Sequence, residues 1–330
     1  MAYYSQVVGT GSGLPDRIMT NAEFETFIDT SDEWIRTRTG IESRRIADAS
    51  KGETTLTFAE IAARNALDAA GMQAEELECF IVGTVTPDSV MPTTANLLQA
   101  RLGSTRGFSF DLQAACSGFL YGLSIADAFI RTGQCKTALV VGAETLSSII
   151  NWRDRGTCVL FGDAAGAVIL KRTEDPAHSI VATEIHSDGR FGEILQIPHG
   201  YGKVPPHSAE YRHDMHKVHM QGAEIFKLAV RSMVESSQAL LDGQNLKPED
   251  VDYFIFHQAN MRIIDMCMKA LSIPPHKTWL NVKKYGNTSA ATLPVAFDEA
   301  MRANEIGPGK LVLLSTFGGG VTWGSTLIRL

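Results

Sequence analysis

Apolar residues recur at helical spacing over 57–70 and again over 225–241, and each stretch runs into a short apolar segment, 79–84 and 253–257. The first pair predicts an amphipathic helix followed by a buried strand, and the second predicts the same arrangement. Alternation of this kind places α/β layers around a largely buried sheet in each half of the chain. Residues 75–82, Glu-Glu-Leu-Glu-Cys-Phe-Ile-Val, return 174 positions later as Glu-Asp-Val-Asp-Tyr-Phe-Ile-Phe at 249–256. At the same offset, Lys136-Thr137-Ala138-Leu139-Val140-Val141 faces Lys310-Leu311-Val312-Leu313-Leu314-Ser315. Each half then closes with a glycine turn and a short strand, Phe161-Gly162-Asp163 before 168–170 and Phe317-Gly318-Gly319-Gly320 before 326–328. A shared offset in matching order reads as a duplication, with halves over 1–175 and 176–330. The segment 186–219, rich in His, Gly and Pro, reads as a long surface loop that could hold a hairpin.

The chain has 330 residues, 44% of them hydrophobic and 20% charged, enough to bury a sizeable core. A formal net charge of −7 argues against non-specific nucleic-acid binding, and an acidic partner would need a local basic patch. The first residues lack the basic start and apolar core of a signal peptide, and no uncharged apolar run reaches the length of a membrane span. Five cysteines with no C-x-x-C pair fit a reducing cytosol better than a disulfide framework, so a cytoplasmic protein is expected.

Cys116 lies in Ala114-Ala115-Cys116-Ser117-Gly118-Phe119, where small residues precede an apolar run to Ile130. This is the pattern of a loop entering a buried helix. A helix N-terminus favours thiolate over thiol, and the thiolate is the nucleophile, although free cysteines are also common core residues. His257 ends the strand Tyr253-Phe254-Ile255-Phe256, the carboxyl end at which open α/β sheets bind ligands; a hydrogen-bonded core histidine is the alternative. Asn287 stands in Tyr285-Gly286-Asn287-Thr288-Ser289-Ala290-Ala291, close to the repeat counterpart of the Cys116 loop at an offset of 171–172. Ordinary N-capping would also account for it. Phe317-Gly318-Gly319-Gly320 is either a turn that needs glycine or half of an oxyanion hole completed by the Cys116 N–H.

Two patterns carry less. Gly9-x-Gly11-x-Gly13 has the wrong spacing for a dinucleotide loop and is followed by Pro15 rather than a helix. His213-x-x-His216-x-x-His219 lacks the spacing and partners of a zinc site, so no metal is expected.

Taken together, these residues resemble the β-ketoacyl-acyl carrier protein synthase III family nearly end to end. The resemblance includes Gly9-Thr10-Gly11-Ser12-Gly13-Leu14-Pro15, Thr30-Ser31-Asp32-Glu33-Trp34-Ile35, Arg38-Thr39-Gly40-Ile41, Asp154-Arg155-Gly156-Thr157 and His257-Gln258-Ala259-Asn260, besides the Cys116, Asn287 and Gly319 segments. It implies the thiolase fold, two duplicated α/β halves in a five-layer αβαβα arrangement, and a homodimer. It also implies that Cys116 takes an acyl group from acetyl-CoA or another short acyl-CoA. Malonyl-acyl carrier protein then loses carbon dioxide, and its enolate attacks the acyl-cysteine. His257 and Asn287 would act as neutral donors to the enolate, with Cys116 and Gly319 forming the oxyanion hole.

By the same resemblance, Trp34, Arg38, Arg155 and Asn260 contact coenzyme A, which is a substrate, and no cofactor is implied. Gln258, Ala259, Asn260, Met261 and Arg262 form the docking region for the acidic carrier protein, with Lys227 and Lys269 as extensions. Met91 stands in a loop expected to cross a dimer interface and close the partner's acyl pocket. A degradative thiolase would need a second cysteine near the C-terminus, and 317–324 has none. An elongating ketosynthase would have a second histidine where Asn287 stands. The order Cys, His, Asn also occurs in papain-like proteases, which the duplication and the missing secretory signal disfavour. A related synthase of secondary metabolism keeps all three residues and is the alternative function.

Overall fold

The computed structural model describes residues 2–200 and 202–330, with His213 and Asp214 described by their backbone alone. Two sheets are stacked through a shared layer of helices. The first has the strand order Tyr4–Gly13, Asp163–Thr173, Thr137–Thr145, Cys79–Gly83, Phe108–Leu112. The second repeats that order as Ile180–Ser187, Thr322–Arg329, Leu311–Gly318, Tyr253–Phe256. In both, the first two pairings are antiparallel and the next is parallel. The fifth strand of the second sheet is reduced to one parallel bridge between Phe254 and Thr278.

Strand periodicity explains the layering. Along Cys79–Gly83, Cys79 and Ile81 pack into the middle layer, while Phe80 and Val82 pack under the helix Thr55–Ala70. Along Tyr253–Phe256, Tyr253 and Ile255 point to the middle layer, while Phe254 and Phe256 pack with residues of the helices Gly222–Gly243 and Met261–Ala270. The helices Gly118–Arg131 and Thr292–Arg302 supply the middle layer through Phe119, Leu120, Leu123, Leu293, Ala296 and Phe297. Because successive strand residues face opposite sides, each sheet has two apolar faces and needs helices on both. The result is the five-layer αβαβα stack that the family resemblance implies.

The offset of 174 holds through the core: the strands begin at 79 and 253 and at 137 and 311, and the middle helices begin at 118 and 292. It also corrects the placement of the Asn287 loop. Ala115 and Ser289, each in the left-handed region with φ 46° and 50°, are matched at 174 rather than at 171–172. The closing glycine turns are not equivalent. Residues 319–321 form a tight connection, whereas 146–162 is a long excursion whose Cys158, Val159 and Phe161 pack into the core of the second half. The 186–219 segment is likewise more than surface loop. Leu195–Gln196 and His219–Met220 pair antiparallel at its base, Val204 and Val218 are buried, and Leu195 and Met220 line the cavity described below.

Gly9, Gly11 and Gly13 have a packing role. They share one face of the first strand, and a Cβ on each would overlap the Ala66, Ala62 and Phe58 carbonyl oxygens of the helix Thr55–Ala70. A strand period of two is thereby matched to helix positions four apart, and the helix lies directly on the backbone. Gly11→Ala should cost about 1–3 kcal/mol, the range for overpacking. Gly243→Ala, at a helix end where a Cβ meets nothing within 4 Å, should be neutral or slightly stabilising. Urea midpoints of the two variants test the contrast.

Candidate active site

Cys116 sits between a strand end and a buried helix. Phe108–Leu112 ends, a 3₁₀ turn covers Ala115–Ser117, and the helix Gly118–Arg131 begins. The turn is lashed down by the other half of the molecule. Thr316 Oγ1 donates to the Cys116 carbonyl at 3.1 Å, Thr322 Oγ1 donates to the Ala114 carbonyl at 2.8 Å, and Ser117 Oγ donates to the Thr322 carbonyl at 3.1 Å. Gly318 passes so close that a Cβ there would stand 2.7 Å from the Cys116 nitrogen. Gly318 therefore makes the close approach, while Gly319 lines the cavity beside Cys116.

Burial outweighs the helix terminus at this sulfur. It pushes the Cys116 thiol up to about 12, with the Ser289 hydroxyl pulling the other way and the nearby Glu144 carboxyl adding to the rise. The resting residue is a thiol, against the thiolate expected from its place before a helix. His257 is 3% exposed, and its backbone N–H donates to the Ser315 carbonyl at 2.8 Å. Desolvation lowers its imidazole to about 3, so it is neutral at working pH. Its Nδ1 lies 2.6 Å from Thr292 Oγ1 at the start of the second middle helix, which leaves Nε2 for the cavity. Asn287 Oδ1 accepts the Ser289 N–H at 2.8 Å, and this bond directs the amide nitrogen away as a donor. Its backbone is paired with the excursion: Asn287 N–H donates to the Leu160 carbonyl and Gly162 N–H to the Asn287 carbonyl.

Cys116, His257 and Asn287 line one cavity, walled by Phe226, Met233 and Phe317 among others. A second cavity also reaches Cys116 and is walled by Val85, Leu146, Ile149 and Ile197. Three residues far apart in sequence thus meet at one sulfur-centred site. A thiol, a neutral imidazole and a carboxamide can together support acyl transfer and stabilise a thioester oxyanion.

The other expected residues are placed unequally. Two guanidinium groups lie over the Trp34 ring, Arg38 4.5 Å and Arg155 4.8 Å from its centroid. Arg155 also donates to the Asp29 carbonyl at 2.7 Å. Asn260 lines the first cavity, donates to the Arg38 carbonyl at 3.1 Å, and caps the helix Met261–Ala270 through Arg262 N–H. These four form one group beside the cavity. Ala259 and Met261 are half-buried, and Arg262 is exposed with its guanidinium over Phe226. Gln258 does not belong to a docking surface. It is fully buried, and its amide spans the Phe256 and Trp279 carbonyls and the Asn281 and Val282 N–H groups. Met91 is 86% exposed on its own chain and lines neither cavity that reaches Cys116. His219 belongs to the hairpin base, and the side chain of His213 lies outside those described.

Three contributors escaped the sequence reading. Thr292 fixes His257. Arg44, fully buried, donates to the Val159 carbonyl at 3.0 Å and to Asn21 Oδ1 at 2.6 Å, holding the segment that pairs with Asn287. Burial lowers its guanidinium to about 10, so it remains charged. Glu144 is fully buried at the end of the strand Thr137–Thr145 and accepts from Thr86 Oγ1, Thr84 Oγ1, Val85 N–H and Ser289 Oγ. A carboxylate closing the apolar run Ala138–Ala143 was the available signal.

Comparison with known proteins agrees with this geometry. Residues 110–189 match the family described as 3-oxoacyl-[acyl-carrier-protein (ACP)] synthase III, and 241–330 match its C-terminal family. The chain is 50% identical over 329 residues to the β-ketoacyl-[acyl-carrier-protein] synthase III of Alkalilimnicola ehrlichii, covering 99% of both chains. It superposes on the crystal structure of 3-oxoacyl-[acyl-carrier-protein] synthase III from Aquifex aeolicus VF5 with a TM-score of 0.91 at 44% identity, covering 99% of this chain and 100% of that one. The priming β-ketosynthase of the R1128 polyketide pathway gives a TM-score of 0.93 at 33% identity, covering 100% of this chain and 97% of that one. The chain belongs to the β-ketoacyl-[acyl-carrier-protein] synthase III family of condensing acyltransferases.

Proposed function

We propose that this protein condenses a short acyl-CoA, acetyl-CoA in the first instance, with malonyl-acyl carrier protein to give 3-oxoacyl-acyl carrier protein, the step that starts fatty acid synthesis. The observation that carries this reading is the convergence of Cys116, His257 and Asn287 on one largely apolar cavity. The Cys116 sulfur attacks the acyl-CoA carbonyl, and the Cys116 N–H and the Gly319 loop face the oxyanion. Coenzyme A leaves and a thioester remains on Cys116. The malonyl thioester then loses carbon dioxide, and its electron pair becomes an enolate whose oxygen faces His257 Nε2–H and the Asn287 amide. The enolate carbon attacks the acyl-cysteine, and the sulfur is released. The reaction needs no cofactor beyond its thioester substrates.

Several further features support the reading. Trp34 and the guanidinium groups of Arg38 and Arg155 suit an adenine ring and phosphates, with Asn260 between them and the cavity. Arg262, Lys227 and Lys269 are exposed, giving a basic surface for an acidic carrier on a chain of net charge −7. In a homodimer, the edge strand Phe108–Leu112, with Phe108 and Phe110 only partly buried, would gain a pairing partner. Met91, so exposed on its own chain, would reach an acyl pocket only across such an interface. All five cysteines are free, in keeping with a cytoplasmic setting. Among the described residues no helix is long and apolar enough to cross a membrane.

Three outcomes are expected. Cys116→Ala should abolish covalent acylation seen by intact mass, whereas Asn287→Asp should keep acylation and lose most malonyl decarboxylation, because a carboxylate repels the enolate. Acylation of the Cys116→Ala protein would sink the nucleophile assignment. Thr292→Val removes the hydroxyl 2.6 Å from His257 Nδ1, which in the proposed tautomer donates to Nδ1 and holds the proton on Nε2. Decarboxylation should slow about tenfold to a hundredfold while acylation is kept, and Thr292→Ser should restore it; the ¹⁵N shifts of His257 report the tautomer. Arg262→Glu should raise KM for malonyl-acyl carrier protein and flatten its salt dependence, with acylation by acetyl-CoA nearly unchanged.

A further inference from the structure

A thiol pushed up by burial must lose its proton as it attacks, and His257, neutral and tied to Thr292 through Nδ1, is placed as a donor. Another acceptor stands behind Ser289. Ser289 lines the second cavity together with Cys116 and pulls its thiol down, and the Ser289 hydroxyl donates to Glu144 Oε1 at 3.1 Å. The opposite carboxylate oxygen is held by Thr86 Oγ1 at 2.6 Å, Val85 N–H at 3.1 Å and Thr84 Oγ1 at 3.3 Å. Ser289 is kept at this station by a left-handed backbone with φ 50° and by its N–H bond to Asn287 Oδ1.

We propose that Ser289 and Glu144 form a proton relay for Cys116. As the sulfur bonds to the acyl carbonyl carbon, the thiol proton passes to Ser289 Oγ and the serine's own proton passes to Glu144 Oε1. When the tetrahedral adduct collapses, the bond to the coenzyme A sulfur breaks. The proton returns from Glu144 through Ser289 to that leaving sulfur. The total charge of the group stays at one negative throughout. Ser289 stands beside the reacting sulfur in the second cavity, and Glu144 acts through it.

The surroundings suit the task. The residues facing Glu144 from 84–86 are neutral, as is Ser289, and Cys116 is the titratable group that feels its charge. Asp163, on the adjacent strand, is turned away to Ala47 N–H and Ser147. Burial raises Glu144 to about 7 against the hydrogen bonds from Thr86, Val85, Ser289 and Thr84, so the carboxyl can take up and return a proton near neutrality.

The relay rests on the condensing role proposed above, and the test separates the two. Rates of Cys116 acylation by acetyl-CoA and of its alkylation by iodoacetamide are measured by intact mass from pH 5 to 9. The wild type, Glu144→Gln and Ser289→Ala are compared. In the wild type both rates should rise along a limb with its midpoint near 7. Both variants should lose that limb and fall about a hundredfold at pH 7.5, with the double variant no slower than either single one. Wild-type rates in Ser289→Ala would overturn the relay. So would faster reaction of Glu144→Gln, since a carboxylate that merely repelled the thiolate would give that sign. Should Glu144→Gln fail to fold, Ser289→Ala carries the test, because Ala115 already occupies the matching left-handed position. If the wild type alkylates along the limb but takes no acyl group from acetyl-CoA, the substrate reading falls and the relay stands.

Discussion

Burial sets the charge state of the cavity before any neighbouring charge is considered. It drives the Cys116 thiol up to about 12, the His257 imidazole down to about 3 and the Glu144 carboxyl up to about 7. In each case desolvation is the largest influence, because side chains of both sheets and both middle helices leave little room for water. The neutral imidazole of His257 and the carboxamide of Asn287 suit the intermediate they must hold, and Glu144 is the group poised to change charge near neutrality. An enolate oxygen gains most from fixed neutral dipoles in a dry pocket.

That dryness depends on the halves being interlocked rather than placed side by side. The Cys116 turn belongs to the first half, but Thr316 and Thr322 of the second half hold its carbonyls. Asn287 belongs to the second half, but the excursion of the first half pairs with its backbone, and Arg44 secures that excursion. Cys116 and Asn287 are thus each held by the half that does not contain them, whereas His257 is held within its own half by Thr292 and Ser315. Loosening either sheet would misplace the chemistry of both.

The sequence showed what periodicity and punctuation can carry. The buried strands at 79 and 253, the helices beside them and the glycine-flanked Cys116 loop were all visible because hydrophobic pattern is a local property. Element ends were less sharp: the helix read from 57 begins at Thr55, and that read over 225–241 extends over Gly222–Gly243. Contacts between distant segments were not visible. Gly9, Gly11 and Gly13 look like a loop until the helix that lies on them is in place. Gln258 shares a motif with the half-buried Ala259 and Asn260, and only its four backbone partners show it to be internal. Glu144 reads as a strand-end charge, and its meaning depends on Ser289, a residue 145 positions away.

The 174-residue duplication has one more consequence. Cys116 follows the left-handed Ala115, and the residue that follows the left-handed Ser289 is Ala290, fully enclosed at the mirrored entrance to the second middle helix. The frame therefore offers two equivalent seats for a nucleophile, and only one holds sulfur. Two residues before each left-handed position stands a carboxamide, Gln113 in one half and Asn287 in the other. The halves have kept a common backbone and divided the labour. A molecule assembled from two copies of the first half would have two thiols and no His257 or Asn287 to receive the enolate. One assembled from two copies of the second would have the receivers and nothing to load.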